Sequence, residues 1–200
     1  VTFGSALVRT VFLARRLRKV WAGQQMVGLL LPPSVGGALT NWAAMLCAKV
    51  PVNLNYTLSA EAINSCVQQC EIKTIVTSRV FLEKIKLTVP GEVIYLEDIV
   101  RAPSGGEKLA AFLMARLLPI GLLERSLQFG IWSVRGTSHS LDALATIIFS
   151  SGSTGEPKGV MHSANTVMAN IIPYAERLKL GRDDVVLMAS PMAHQTGFMY

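Results

Sequence analysis

Charged residues and cysteines are scarce in this sequence, and a long uninterrupted apolar run is absent. Charged residues make up only 16% of the chain and hydrophobic residues 50%, which excludes an intrinsically disordered protein and favours a folded core. The longest apolar candidate, residues 110–123, is interrupted by Arg116 and Pro119 and is too short to cross a bilayer. No secretory signal is visible. We therefore expect a cytoplasmic protein, with association to a membrane surface as the alternative.

The sequence has only three cysteines, Cys47, Cys66 and Cys70. A disulfide scaffold normally needs an even and larger number. They lie in helical patterns, which is typical of a protein from a reducing compartment. Cys66 and Cys70 are one helical turn apart and could share a metal ion. A zinc site is nevertheless not favoured, because no second Cys/His pair accompanies them.

The net charge of +6 comes largely from a cluster near the start of the chain. Its members are Arg9, Arg15, Arg16, Arg18 and Lys19. They fall on one side of an amphipathic helix predicted over residues 5–20, and we interpret them as a solvated face. A membrane surface or an acidic partner is the alternative. A nucleic-acid partner is not expected, because aromatic side chains do not alternate with the cations.

The first hundred residues show the alternation of short apolar runs and helical patterns that is typical of βαβ units. Strands are predicted at residues 26–31, 50–54, 74–77 and 93–96. Helices are predicted between the first three strands, at about 35–48 and 59–69, with Ser34 and Ser59 at their N-termini. The sequence therefore predicts an α/β fold with a parallel sheet.

Residues 101–140 interrupt this alternation. Residues 103–106 are predicted to form a loop, followed by an apolar-basic helix over about 107–127 that can break at residues 119–121. Packing of this helix against the rest of the domain is the simpler interpretation. A surface that faces a membrane or an acyl chain is the alternative.

A loop rich in glycine and hydroxyl groups follows a predicted strand at residues 145–149. Residues 150–159 read Ser-Ser-Gly-Ser-Thr-Gly-Glu-Pro-Lys-Gly. Glycines let the backbone approach a ligand closely, the hydroxyls and N–H groups can hold phosphate oxygens, and Lys158 adds a positive charge. The spacing differs from the Walker P-loop, because Gly159 follows the lysine where that motif has Ser or Thr. A turn that binds nothing is the alternative, but it gives no reason for the Pro-Lys-Gly ending.

The eleven residues 149–159 closely resemble the phosphate-loop signature of the acyl-adenylate-forming superfamily. This resemblance implies ATP and Mg²⁺ as cofactors, a loop that holds the β- and γ-phosphates, and a catalytic role for Lys158. It also implies Thr154 as a metal ligand. The nucleotide-binding residues it implies are Ser150, Ser151, Gly152, Ser153, Thr154, Gly155 and Lys158.

A second similarity to the same superfamily is the Pro-Met-Ala-His segment at residues 191–194, which follows a predicted strand at 185–188. The resemblance implies that His194 lies beside the acyl and nucleotide pockets as a catalytic and substrate-binding residue. Thr196 and Gly197 would form part of the wall of an apolar acyl pocket. A structural histidine and ordinary core packing are the alternatives.

The segments before and after the phosphate loop resemble two different subfamilies. Residues 31–34, 49–56 and 73–79 resemble acyl-carrier-protein synthetases linked to lysophospholipid acyltransfer, whereas residues 156–200 are more similar to cyclohexanecarboxylate-type acyl-CoA ligases. The resemblance implies a carboxylic acid substrate, fatty or alicyclic, and either CoA or an acyl carrier protein as the acceptor.

The resemblance implies a partial N-terminal adenylation domain rather than a whole enzyme. We divide it into a βαβ subdomain (1–100), a connector with the apolar-basic helix (101–140) and a phosphate-loop segment (141–200). The chain starts at Val1 and lacks the family's ribose-binding aspartate, hinge and C-terminal lysine. We therefore expect the isolated chain to be inactive and the full-length parent to be an acid–thiol ligase. A non-catalytic nucleotide- or acyl-binding regulator is the alternative.

Overall fold

A computed structural model describes residues 2–129, 140–150, 156–181, 184 and 190–194. Within these residues the strands are β1 Met26–Leu30, β2 Val50–Asn53, β3 Thr74–Thr77, β4 Glu92–Tyr95, β5 Leu144–Ser150 and β6 Lys158–Ser163. The helices are α1 Phe3–Val20, α2 Val35–Leu46, α3 Ala60–Gln69, α4 Arg79–Ile85, α5 Leu96–Val100, α6 Gly105–Leu117, α7 Ile120–Gln128 and α8 Ala164–Arg177.

The described strands form one sheet in the order β4-β3-β1-β2-β5-β6. Strands β1 to β5 are parallel, with β1 at the centre between β2 and β3. The predicted α/β fold with a parallel sheet is confirmed. The exception is β6, which pairs antiparallel with β5 at the sheet edge and was not predicted.

Helices cover both faces of the sheet. On one face, α1 and α2 form a core with Val27 and Leu29 of β1, and α6 and α7 pack against α1, with Trp21 and Leu17 fully buried. On the other face, α3 and α4 pack against alternate residues of β1, β2, β3 and β5. This three-layer arrangement explains why the strands read as continuous apolar runs, since parallel strands are buried on both sides.

Serine side chains set the start of several helices. Ser34 and Ser59 accept hydrogen bonds from backbone N–H groups in the first turns of α2 and α3, as predicted. Ser104 does the same for α6, and Glu107 completes a capping box by accepting from the Ser104 backbone. The predicted loop at 103–106 is therefore wrong in its second half, because α6 already begins at Gly105. The predicted break is confirmed, since α7 starts after Pro119.

The basic cluster of α1 is not simply a solvated face. Arg16 donates to both carboxylate oxygens of Glu107, at 3.0 and 2.7 Å, and to the carbonyls of Ile99 and Arg101. Arg15 donates to the Glu107 carbonyl, and Arg18 donates to the Ser126 carbonyl. These arginines hold the segment from α5 to α7 against α1. The prediction that the basic cluster is a solvated face is therefore wrong for three of the five cluster residues.

The Arg16–Glu107 pair makes a testable contribution to stability against acid. The hydrogen bonds from Arg16, assisted by the Ser104 backbone N–H, lower the pKa of Glu107 from 4.5 to about 2. Because the pKa is depressed on folding, the pair stabilises the fold fully above about pH 4.5 and loses this effect as the pH falls toward 2. We expect Glu107→Gln to lower the urea midpoint at neutral pH and to have little effect near pH 2.

Urea titrations of both proteins across this pH range check the prediction. Glu83→Gln on α4 is the control, because Glu83 is exposed and forms no ion pair among the described residues. A constant difference between Glu107→Gln and wild type at every pH would contradict the assigned role of the pair.

All three cysteines are free and buried. Burial raises the pKa of the Cys47 thiol to about 12, although Arg18 and Lys49 partly oppose it, and raises those of Cys66 and Cys70 to about 11. These thiols are therefore protonated and unreactive at neutral pH. In the part of the chain that the structure describes, no helix combines the length and apolarity required to cross a membrane.

Candidate functional site

The carboxyl ends of the parallel strands meet at one edge of the sheet. Asn53 ends β2 and Ser150 ends β5, and these strands are neighbours. Ligands of open α/β sheets bind at this edge, because the loops that follow the strands converge there. The predicted phosphate loop follows β5 directly, so its position in the fold suits a ligand-binding role.

Ser150 and Lys158 lie directly opposite each other at the start of that loop. They form the last pair of the β5–β6 ladder, and the Ser150 hydroxyl donates to the Lys158 carbonyl at 3.4 Å. Residues 150–159 were all predicted to be loop, but β5 includes Ser150 and β6 begins at Lys158. Both side chains are exposed. Directly opposite residues share a face, so the hydroxyl and the ammonium project on the same side of the sheet.

The face on which they project follows from the neighbouring residues. Phe149 packs among the side chains on the α3 side, and a Cβ at Gly159 would lie 3.2 Å from its ring. Because side chains alternate along a strand, Ser150 and Lys158 project on the opposite side, the side of α2. Glycine at 159 leaves room for the Phe149 ring.

Helix α3 contacts the C-terminal end of the predicted phosphate loop. The Gln69 side chain donates to the Pro157 carbonyl at 3.0 Å and to the Ser65 hydroxyl at 3.1 Å. Pro157 is buried, while Glu156 before it and Lys158 after it are exposed. Sequence inspection missed Gln69, because it lies 88 residues from Pro157 in an ordinary helical pattern.

The Pro-Met-Ala-His turn at residues 191–194 docks on α2. The sulfur of Met192 lies 3.5 Å from the Asn41 amide nitrogen and equally far from the position of a Cβ at Gly37. Ala193 is buried, and the His194 N–H donates to the Pro191 carbonyl, which closes the turn. The His194 side chain is exposed. This turn therefore lies on the same side of the sheet as Ser150 and Lys158.

A buried amide pair supports the docking surface for this turn. Asn41 on α2 and Asn53 at the end of β2 exchange two hydrogen bonds, at 2.8 and 3.1 Å, and Asn41 also donates to the Gly37 carbonyl. Removal of either side chain would leave buried polar groups without partners. Asn53 lies in the segment 49–56 that resembles acyl-carrier-protein synthetases, but the sequence did not predict its pairing with Asn41.

The structure describes three of the predicted site residues, namely Ser150, Lys158 and His194. The other predicted nucleotide- and metal-binding residues, Ser151, Gly152, Ser153, Thr154 and Gly155, lie outside the described residues, as do Thr196, Gly197 and the predicted strand at 185–188. His162 lies in β6, largely buried, opposite Thr146.

The described part of the site contains hydroxyl and ammonium groups and no cluster of carboxylates that could bind a metal ion. No group of three or more His, Cys, Asp or Glu side chains within the described ranges could hold a metal ion. Mg²⁺ commonly binds through substrate phosphates, waters and few protein ligands. A hydroxyl such as that of Ser150 fits a magnesium ion that is bound mainly through nucleotide phosphates.

Known proteins resemble this chain in sequence and in fold. The chain is 44% identical over 64 residues to the medium-chain fatty-acid–CoA ligase of Escherichia coli K12, covering 32% of this chain and 11% of that protein. It is 27% identical over 173 residues to the medium/long-chain-fatty-acid–CoA ligase FadD17 of Mycobacterium tuberculosis, covering 86% and 30%. O-succinylbenzoate coenzyme A synthetase (MenE) from Bacillus subtilis, solved with ATP and magnesium, shares the fold with a TM-score of 0.73 and 18% identity.

The chain spans less than a third of these two curated relatives and 47% of the MenE chain, while all of it is covered by that structural match. The structural likeness concerns the fold. The sequence model of the AMP-binding enzyme family matches residues 1–200. Because that match runs from the first residue to the last, the chain belongs to the AMP-binding enzyme family, which confirms the resemblance to acyl-adenylate-forming enzymes.

Proposed function

We propose that the full-length parent of this chain activates a carboxylic acid with ATP. A carboxylate oxygen attacks the α-phosphorus, the bond to the β-phosphate oxygen breaks, and the products are an acyl-adenylate and pyrophosphate. The observation that carries the proposal is the position of the Ser150–Lys158 pair. It opens a glycine- and hydroxyl-rich loop at the carboxyl edge of the sheet, in a chain that matches the AMP-binding enzyme family throughout.

Each proposed role follows from the charge that the reaction develops. Negative charge accumulates on the departing pyrophosphate, and fixed donors aimed at that charge accelerate its departure. Lys158 and the Ser150 hydroxyl would bind the phosphates, together with the backbone N–H groups and hydroxyls of residues 151–155. Thr154 is the proposed protein ligand of Mg²⁺, which would neutralise phosphate charge.

We place the acid on the α2 side of the sheet. His194 is exposed on a turn fixed by Met192 and Ala193, so its imidazole can face a bound ligand while the turn itself stays in place. We propose Thr196 and Gly197, which follow it, as part of the acyl pocket wall. The two ligases named above act on medium- or medium/long-chain fatty acids by their names, and this supports a fatty acid.

The acceptor of the activated acyl group is proposed to be a thiol. CoA is favoured over an acyl carrier protein, because the relatives described above are CoA ligases by name. The isolated 200-residue chain is proposed to be inactive, since the family's ribose-binding and C-terminal elements are not part of it.

Carboxylate-dependent exchange of radioactive pyrophosphate into ATP tests the proposal in the full-length parent. We expect exchange with medium- and long-chain fatty acids in the presence of Mg²⁺, and none without acid. Subsequent addition of CoA or acyl carrier protein identifies the acceptor. Tight ATP binding without exchange for any acid would favour a nucleotide-binding regulator instead.

Gln69 provides a further prediction within this proposal. If its hydrogen bond positions the base of the phosphate loop, Gln69→Ala should raise the KM for ATP about threefold to tenfold, as expected for one lost hydrogen bond. The kcat and the urea midpoint of the Gln69→Ala variant should stay close to the wild-type values. Gln68→Ala is the matched control, because Gln68 is exposed on the same helix and makes no described hydrogen bond to residues 156–163. Equal KM values for the two variants would show that Gln69 does not position the loop.

A further inference from the structure

Helix α6 is apolar on both of its faces. Its inner face consists of Ala111, Met114 and Ala115, which pack with Leu118 at the C-cap against the core beneath α1. Its outer face carries a row of leucines at successive turns, Leu109, Leu113 and Leu117, of which Leu117 is 70% exposed. Phe112 is also exposed beside them. Helices that are apolar all round are normally buried, so the outer face requires a covering partner or phase.

The charges around this outer face have one sign. Lys108 lies beside the apolar row on α6, Arg116 lies between Phe112 and the leucines, and Arg101 lies exposed just before the helix. Between residues 101 and 122 the sequence contains a single carboxylate, Glu107, and Arg16 neutralises it with two hydrogen bonds. Arg116 lies near the Phe112 ring, 6.0 Å from its centroid. The outer face is therefore mainly apolar, with cations beside and within it.

We propose that the outer face of α6 docks on an anionic lipid bilayer, parallel to the membrane surface. Exposed leucine and phenylalanine side chains would enter the acyl boundary, while Lys108, Arg116 and Arg101 would meet the negatively charged headgroups. The combination of an apolar row with nearby cations matches the acyl boundary and the headgroups of an anionic membrane. The hydrogen bonds of Arg16 to Glu107, Ile99 and Arg101 fix α6 on the domain, so membrane contact through α6 orients the whole domain.

This inference goes beyond the proposed function and does not depend on it, since binding to lipid requires no catalysis. If both hold, the parent would take fatty acid directly from the bilayer in which such acids dissolve. Failure of vesicle binding with intact pyrophosphate exchange would reject the membrane surface alone, whereas the opposite result would reject only the proposed activity.

Flotation of the full-length parent with vesicles tests the proposal. The vesicles contain either phosphatidylcholine alone or equal parts of phosphatidylcholine and phosphatidylglycerol. We expect binding to the anionic vesicles that weakens at high salt, and much weaker binding to the neutral ones. Leu117→Glu should lower the partition coefficient about tenfold or more, because it removes one inserted leucine and adds a repelled charge.

Two matched variants on α4 serve as controls. Val80 is 72% exposed, so Val80→Glu changes an equally accessible apolar side chain away from the proposed surface and should leave binding unchanged. Lys108→Glu should reduce binding to anionic vesicles about tenfold, whereas Lys84→Glu, at another exposed lysine, should not. Circular dichroism spectra verify that each variant is folded.

Several outcomes would overturn the proposal. Equal losses in Val80→Glu and Leu117→Glu would show a non-specific effect of charge. Absence of binding to either kind of vesicle would mean that another part of the parent covers α6. Self-association that Leu117→Glu abolishes, without vesicle binding, would assign the face to a second copy of the chain.

Discussion

Replacement of Lys158 by alanine is expected to slow acyl-adenylate formation by the full-length parent about a hundredfold to a thousandfold, the effect of removing one preorganised donor from developing charge. Lys158 is exposed, and its ammonium makes no hydrogen bond or ion pair with the residues that the structure describes. Its charge is therefore available to an anionic ligand. The free energy of unfolding should change by less than about 0.5 kcal/mol, as for surface positions without packing contacts.

Pyrophosphate exchange at saturating and limiting ATP gives the measurement. A group that acts mainly in the transition state lowers kcat and kcat/KM together, whereas a group that only binds ATP raises KM. Lys84→Ala, at an exposed lysine on α4, should leave both constants at wild-type values. Equal exchange rates in Lys158→Ala and wild type would remove Lys158 from the proposed chemistry.

The sequence was sufficient to predict the elements whose signals are local. The strands β1 to β5 appear as apolar runs because both faces of the sheet are buried, and Ser34 and Ser59 mark helix starts by capping the first turn. Elements with weaker signals were missed. The first four residues of β6, from Lys158 onward, are all exposed. The segment therefore shows neither a buried apolar run nor an alternation of apolar and polar residues that would predict a strand. It becomes a strand through its pairing with β5.

Side-chain contacts between distant residues could not be predicted in the same way. Glu107 is 91 residues from Arg16, and nothing local to either residue identifies the other as its partner. The cluster on α1 therefore looked like a solvated face, although Arg16 is used for an internal contact. The same holds for Asn41 and Asn53, whose pairing depends on how α2 folds back onto β2. In the candidate site, motifs predicted Ser150, Lys158 and His194, but not the side chains that support them.

Gly28→Ala is expected to destabilise the fold by about 1–3 kcal/mol, the usual cost of overpacking a core. Gly28 lies in the central strand β1, opposite Val52 on β2 and Ile75 on β3. An added Cβ would lie 2.8 Å from Cγ1 of Ile75 and 3.0 Å from Cγ2 of Ile72. The contact with Ile75 is shorter than a Cβ tolerates and the contact with Ile72 is tight, and neither isoleucine can move freely, because both are buried in the layer beneath α3. Strand β1 must therefore shift or the isoleucines must repack.

Gly121→Ala on α7 is the matched control, with an expected effect of opposite sign. A Cβ at Gly121 meets nothing within 4 Å, and its backbone is helical. Alanine there should stabilise the fold by about 0.5–1 kcal/mol, because it reduces the entropy of the unfolded chain and favours the helix. Urea midpoints of the two variants against wild type provide the comparison. A neutral or stabilising Gly28→Ala would contradict the close packing of Gly28 against Ile72 and Ile75. That packing fixes the position of β1, which carries the loop leading to α2 and the candidate site.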